Sequence, residues 1–189
     1  MTDDVTRASK FLSYVLRHDP ASIGLDLQEG GWASIDALLA GAALHGRKLD
    51  AAMIDRVINA PGKQRFEMGD GLIRAAQGHS VRVDLGLDPC QPPSVLYHGT
   101  VARFLASIFA DGLRPGARTH VHLSASPEIA ATVGARRGRP VVLLIDSAAM
   151  SADGHEFFQA SNGVWLTKHV PPEFLNFEGQ PAATTGAAG

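Results

Sequence analysis

The chain contains one cysteine, Cys90, among its 189 residues, so neither an internal disulfide framework nor a cluster of cysteine metal ligands can form. No stretch approaches the roughly 18 consecutive apolar residues that a membrane-spanning helix requires. A basic excess is also missing. Lys and Arg number 17 against 19 Asp and Glu, a net charge of −2, and residues 1–86 and 87–189 each carry −1. A global positive field for a polyanion is thereby excluded, and any grip on phosphate must come from a local cluster of arginines. The opening MTDDVTRASK is acidic and polar, unlike the basic and then apolar start of a secretory signal, which gives the expectation of a cytoplasmic protein. What is present is enough apolar material, 45% of residues, to bury a core, so a disordered chain is excluded as well.

The stretch Leu85–Ser94, with three prolines and a glycine, can neither propagate a helix nor sit inside a sheet, and it divides the chain. Before it, Val5, Ala8, Phe11, Leu12, Val15 and Leu16 fall at helical spacing after Asp3 or Asp4, and Pro20 closes that helix. Two further helices are expected around Ser34–Leu44 and Asp50–Ala60. A β-hairpin is expected where Arg65–Met68 and Leu72–Ala75 flank Gly69-Asp70-Gly71. Three helices and a two-stranded wing predict a winged helix-turn-helix over residues 1–86. From 94 to 179 the pattern predicts a strand at Val95–His98, a helix over Val101–Ala110 and an alternating strand at His120–Ser124. A short helix at Pro127–Val133, a buried strand at Val141–Ile145, and a late pair around Phe157-Phe158 and Val164–Thr167 complete it. The fold class is α+β, with residues 180–189 expected to be a disordered tail.

Few residues carry chemistry. Arg17-His18 at a helix end offers a fixed fork of donors beside a titratable one, a suitable pair for a phosphate. Lys63-Gln64-Arg65 precedes the hairpin, and Gly134–Pro140 places Arg136, Arg137 and Arg139 just before a core strand. Each has an ordinary reading as solvated charge. Together with His18 they suit a dianionic phosphate. His98-Gly99-Thr100 is expected to end a strand and open a helix, with Gly99 admitting a ligand and the following N–H groups pointing outward. His122 and Ser124 end a second strand. No histidine spacing matches a usual metal pattern, so no metal is expected. His45, His79, His155 and His169 read as surface or packing residues, and Trp32 and Trp165 as core.

In register, Ser9–Pro20, Gly31-Trp32, Lys63–Phe66, Leu96–Thr100, Gly112–Pro115, His120–Ser124, Val133–Val141 and Asn162–Thr167 resemble the KptA-type RNA 2′-phosphotransferases. These are relatives of the enzyme that completes tRNA splicing in eukaryotes. The likeness runs from about residue 7 to about 178. It implies an N-terminal winged-helix RNA lobe and a C-terminal ADP-ribosyltransferase lobe, with NAD⁺ as co-substrate and an RNA bearing an internal 2′-phosphate as partner. It further implies an Arg-His-Arg-Arg tetrad at Arg17, His18, Arg65 and Arg136, holding the phosphate between lobes, with Arg137 in place of a frequent histidine and the choice between the two arginines open. The NAD⁺ residues it implies are His98, Gly99, Thr100, Gly112, Leu113, His122 and Ser124. An apolar residue near Val164 stands where many ADP-ribosyltransferases have a glutamate, so Glu156 is not promoted to that role. Rival readings keep the fold but change the acceptor, or make the chain a winged-helix regulator with a ligand-sensing second lobe. A monomer is expected.

Overall fold

The computed structural model describes residues 3–62 and 64–177. The chain separates into two units, Met1–Asp88 with Gly116–Thr119 and Ala160–Asn162, and Pro89–Pro115 with His120–Gln159 and Gly163–Gly189. Lys63 and the tail expected at 180–189 lie outside the described residues.

In the first unit α1 spans Asp3–Arg17, with Asp3 and Asp4 at its positive end and Arg17 at its negative end, as the helix dipole favours. Its apolar stripe is the one the spacing marks: Leu12, Val15 and Leu16 are fully buried and Val5 nearly so, with Ala8 and Phe11 packed at the margin. Asp19 then accepts a hydrogen bond from Ser22 N and starts a tight turn at Pro20–Ile23. A two-residue strand β1 (Ala33–Ser34) leads into α2 (Ile35–Leu44), whose first turn is capped by Ser34 Oγ. Helix α3 (Ala51–Ile58) is capped by Asp50, which accepts from Met53 N at 2.7 Å. Strands β2 (Phe66–Gly69) and β3 (Leu72–Ala75) form the expected hairpin. Its turn places Asp70 at φ 53° and Gly71 at φ 73°, the left-handed pair that matches hairpin twist. The sheet has a third member, because β1 pairs with the free edge of β3. Two residues are too few to show a period, which is why β1 is not legible in the sequence. The helices and this sheet enclose one core, with Leu12, Leu16, Leu38, Ile54, Phe66 and Ile73 at its centre.

The second unit runs β4 (Val95–Val101), a 3₁₀ turn at Ala102–Phe104, α4 (Leu105–Asp111), β5 (Val121–Leu123), α5 (Pro127–Gly134), β6 (Pro140–Asp146), α6 (Ser147–Ala152), β7 (Phe158–Gln159), β8 (Trp165–Thr167) and β9 (Leu175–Phe177). Strand β6 is the centre of one antiparallel sheet, paired with β4 along seven residues and with β9 on its other side. Strands β5, β8 and β7 make a second antiparallel sheet. The run Val141–Ile145 is not uniformly buried as its composition predicts. Leu143 and Ile145 are enclosed, whereas Val141, Val142 and Leu144 are half-buried, because the two faces of the strand are covered unequally. Helix α6, capped by Asp146, and strand β9 also lack a sequence signal, being short and, for α6, composed of small residues.

Two local expectations fail for one reason. Strand β4 does not stop at His98 but continues to Val101, so Gly99 and Thr100 face Val142 and Val141 in the ladder and open no helix. Gly99 is a glycine because α5 lies against it: a Cβ there would overlap the Ala130 carbonyl oxygen and come within 2.9 Å of Gly134 N. The space that the sequence assigns to a ligand is filled by a helix. Both units are mixed helix and sheet, and among the described residues no helix is long and apolar enough to cross a membrane.

Candidate active site

In the first unit the chemistry gathers at the end of α1. Pro20 forbids another helical turn, so Arg17 and His18 leave the helix with their carbonyls unpaired by it. The Arg17 carbonyl is captured by a later segment, accepting from Ser80 N at 2.9 Å and Val81 N at 3.2 Å. Its side chain is pinned by Nη2 donating to the Arg65 carbonyl at 3.1 Å, with the guanidinium carbon 5.8 Å from the Phe66 ring centre. That carbonyl also accepts from Ala76 N, so β2 and β3 fix the height of both arginines.

Burial, then the charges of Arg118 and Arg65, lower the Arg17 pKa to about 10. It stays cationic at neutral pH, but its charged neighbours are of its own sign. His18 is pushed below the usual histidine range by burial first and then by Arg17 and Arg118. Its Nδ1 lies 2.9 Å from Ser80 Oγ, and the Tyr14 ring is 6.5 Å away. His18 and Arg65 border a groove of about 320 Å³ along α1, with Ser9, Lys10, Ser13 and Tyr14. Like charges gathered in this way destabilise the empty protein, and a bound dianion relieves the repulsion.

Arg118 was not among the expected site residues. It comes from the segment Gly116–Thr119, which joins the first unit and is tied to it by Thr119 N donating to the His79 carbonyl at 3.2 Å. The available signal was position: it directly precedes the strand of His122, just as Arg136 precedes β6. Surrounded by glycine, alanine and threonine, it has no periodic neighbours to mark it. His79, which reads in the sequence as a surface or packing residue, is deeply buried beside Arg17. Only 1% exposed, it has both ring nitrogens buried without a hydrogen-bond partner among the described residues, as is Arg17 Nε. Burial first, then the charges of Arg17, His18 and Arg74, push its pKa down to about 4. Trp32, expected in the core, is half-buried with the Arg74 guanidinium 4.6 Å over its ring; Arg74 is in turn paired with Glu67 at 2.8 Å.

In the second unit His98, Thr100, Gly112 and Leu113 line one groove of about 280 Å³, with Phe104, Ser107 and Arg137. His98 Nδ1–H donates to the His122 carbonyl at 3.1 Å, and Tyr97 and Ser124 exchange backbone bonds of 2.8 Å in both directions. His122 and Ser124 thus act on the groove through the backbone that positions His98. Gly112, at φ 78°, packs against Val170 and His169. The mixture of apolar wall, hydroxyls, imidazole and guanidinium fits a nucleotide with a phosphate. Arg136 also belongs to this unit, exposed on the 3₁₀ turn Ala135–Arg137, whereas Arg137 faces the groove and lies 5.9 Å over Phe104. The structure therefore groups Arg17, His18 and Arg65 with Arg118 in one unit, and Arg136 is part of the other. Glu156 pairs with Lys168 at 3.1 Å, and Val164 is buried. No three His, Cys, Asp or Glu side chains among the described residues form a group able to hold a metal ion.

Residues 3–169 match the family described as RNA 2′-phosphotransferase, Tpt1/KptA family. Proteins named as probable RNA 2′-phosphotransferases are similar over nearly their full lengths. One from Streptomyces coelicolor is 54% identical over 171 residues, 90% of this chain and 94% of its own. One from Pseudomonas aeruginosa strain UCBPP-PA14 is 56% identical over 170 residues (88% and 93%), and one from Acaryochloris marina is 52% identical over 177 (93% and 98%). A family match over residues 3–169 and identities of 52–56% over most of the chain leave one assignment: the chain belongs to the Tpt1/KptA family of RNA 2′-phosphotransferases.

Proposed function

We propose that this protein removes an internal 2′-phosphate from RNA by transferring it to NAD⁺, with the first unit acting as a winged-helix RNA lobe and the second as an ADP-ribosyltransferase-like NAD⁺ lobe. In this reading NAD⁺ is a substrate. The RNA 2′-phosphate displaces nicotinamide from the ribose, and the neighbouring ribose hydroxyl then takes the phosphoryl group, leaving 2′-hydroxyl RNA and ADP-ribose 1″,2″-cyclic phosphate.

The observation that carries the reading is the cluster of Arg17, Arg65, Arg118 and His18 in one unit, whose mutual influence on Arg17 and His18 is cationic. Arg17, held by its bond to the Arg65 carbonyl, and Arg65, at the start of the hairpin, supply donors when negative charge builds on phosphorus. Arg118 completes them in the role that the resemblance gave to Arg136, which then acts from the second unit or not at all. His18 takes a proton when the dianion binds and delivers it to the departing RNA oxygen. His98, Thr100, Gly112, Leu113 and Arg137 hold the dinucleotide, and His122, Ser124 and Gly99 keep that wall in shape.

The test is incubation of a 2′-phosphorylated oligonucleotide with and without NAD⁺, following RNA and nucleotide products together. Conversion only with NAD⁺, lost in Arg17→Ala and His18→Ala, is the expected result. Full turnover in either variant would refute the assignment.

A further inference from the structure

Ser80 has no place in the cluster as read from the sequence, yet it touches both members of the Arg17-His18 pair. Its backbone N–H donates to the Arg17 carbonyl at 2.9 Å, while its hydroxyl lies 2.9 Å from His18 Nδ1 and 3.5 Å from the Arg17 carbonyl oxygen. A serine hydroxyl has one proton and two lone pairs, whereas the carbonyl can only accept. The one arrangement that uses all three atoms runs in a single direction: His18 Nδ1–H donates to Ser80 Oγ, and Ser80 Oγ–H donates to the Arg17 carbonyl. That arrangement requires a proton on Nδ1. It leaves Nε2 as the nitrogen that gains or gives up a proton.

We infer that Ser80 is a positioning residue that fixes the orientation and tautomer of His18, so that its Nε2 is the atom that faces the phosphate and gives its proton to the departing RNA oxygen. This rests on the proposed function above and extends it to a residue outside the expected tetrad. The groups around His18 explain why such a support is needed. Arg17 precedes it on α1, Tyr14 lies one turn back with its hydroxyl donating to Asp19 at 2.9 Å, Arg65 borders the same groove, and Arg118 and the buried His79 approach from other segments. Most of these charges oppose a proton on His18. The serine relay is a neutral contact that favours the cationic ring, in which Nδ1 must donate, and it does so without adding a carboxylate that would repel the phosphate. The serine itself is held in place by its main chain, whose bond to Arg17 does not depend on its side chain. Removing the hydroxyl should therefore alter His18 and leave the fold intact.

The experiment is an NMR titration of the His18 ring in the full-length protein, with and without inorganic phosphate, for the wild type, Ser80→Ala and Ser80→Thr, alongside the pH profile of kcat/KM on 2′-phosphorylated RNA. His18→Asn identifies the signal. Phosphate should raise the His18 pKa in the wild type and in Ser80→Thr. In Ser80→Ala the phosphate-bound pKa should fall by about one unit, with kcat/KM at neutral pH reduced about ten-fold and partly recovered at lower pH. An unchanged titration and profile in a normally melting Ser80→Ala protein would overturn the inference, as would failure of Ser80→Thr to restore them. If instead His18→Ala retains full activity, the proposed function fails and not merely the role of Ser80.

Discussion

His79 makes stability depend on pH in a calculable way. In the unfolded chain it takes a proton near the ordinary 6.5, whereas in the folded protein burial and the neighbouring cations hold it neutral down to about 4. The unfolded state therefore binds more protons across that window, and stability, complete above pH of about 6.5, is lost as the pH falls toward 4. Between pH of about 7 and about 5 the loss from this one side chain comes to about 2 kcal/mol, and to about 3 kcal/mol once both states are protonated. His18 shifts in the same direction and adds to it. The assay is urea unfolding of the wild type and His79→Leu at the two pH values, each protein compared with itself so that any packing cost of leucine cancels. The wild type should lose about 2 kcal/mol more than the variant on acidification. Parallel losses in both proteins would show that His79 is not the responsible group, and the reading of its burial beside Arg17 would fall with it.

Arg118→Ala should lower kcat on 2′-phosphorylated RNA by about 10²–10³-fold, the typical cost of one preorganised oxyanion donor, and more than Arg136→Ala does; the reverse order in single-turnover assays would return the fourth tetrad place to Arg136. His98→Ala should raise the KM for NAD⁺ about ten-fold, at a cost of one half-buried hydrogen bond, with little change in the affinity of RNA measured without NAD⁺. Gly99→Ala should fail to yield folded protein at all, because the added methyl meets the Ala130 carbonyl; a cooperative melt near the wild-type temperature would contradict the close packing of α5 on β4. Leu12→Ala, at a fully buried site, should cost about 2–5 kcal/mol of unfolding free energy by denaturant titration.

What the sequence makes legible here is periodicity and punctuation. The stripe of α1, the helix starts near Ser34, Asp50 and Pro127, and the hairpin turn at Gly69-Asp70-Gly71 are each written in adjacent residues, and the structure contains all of them. Features made by distant residues are not legible in that way. β1 exists because β3 has a free edge; Gly99 is small because α5 crosses it; Arg118 joins Arg17 because Thr119 is bonded to His79. The candidate site is therefore legible only in the residues that adjacent sequence marks. Arg17-His18 announces itself at a helix end and Arg65 at a hairpin, and His98, Thr100, Gly112 and Leu113 do share a groove. His79 and Ser80, which are ordinary in composition, acquire their roles only from what the fold lays against them.

The bond from Ser80 and Val81 to the Arg17 carbonyl spans more than sixty positions of chain, so α1 can coil long before its last residue finds a partner. Such a closure is slow and entropically late. Any opening of the 78–81 segment in the native protein would release the Arg17 carbonyl and the His18 ring while leaving the helix wound, so the activity proposed above should vanish under mild denaturant or in local fluctuations well before helicity does.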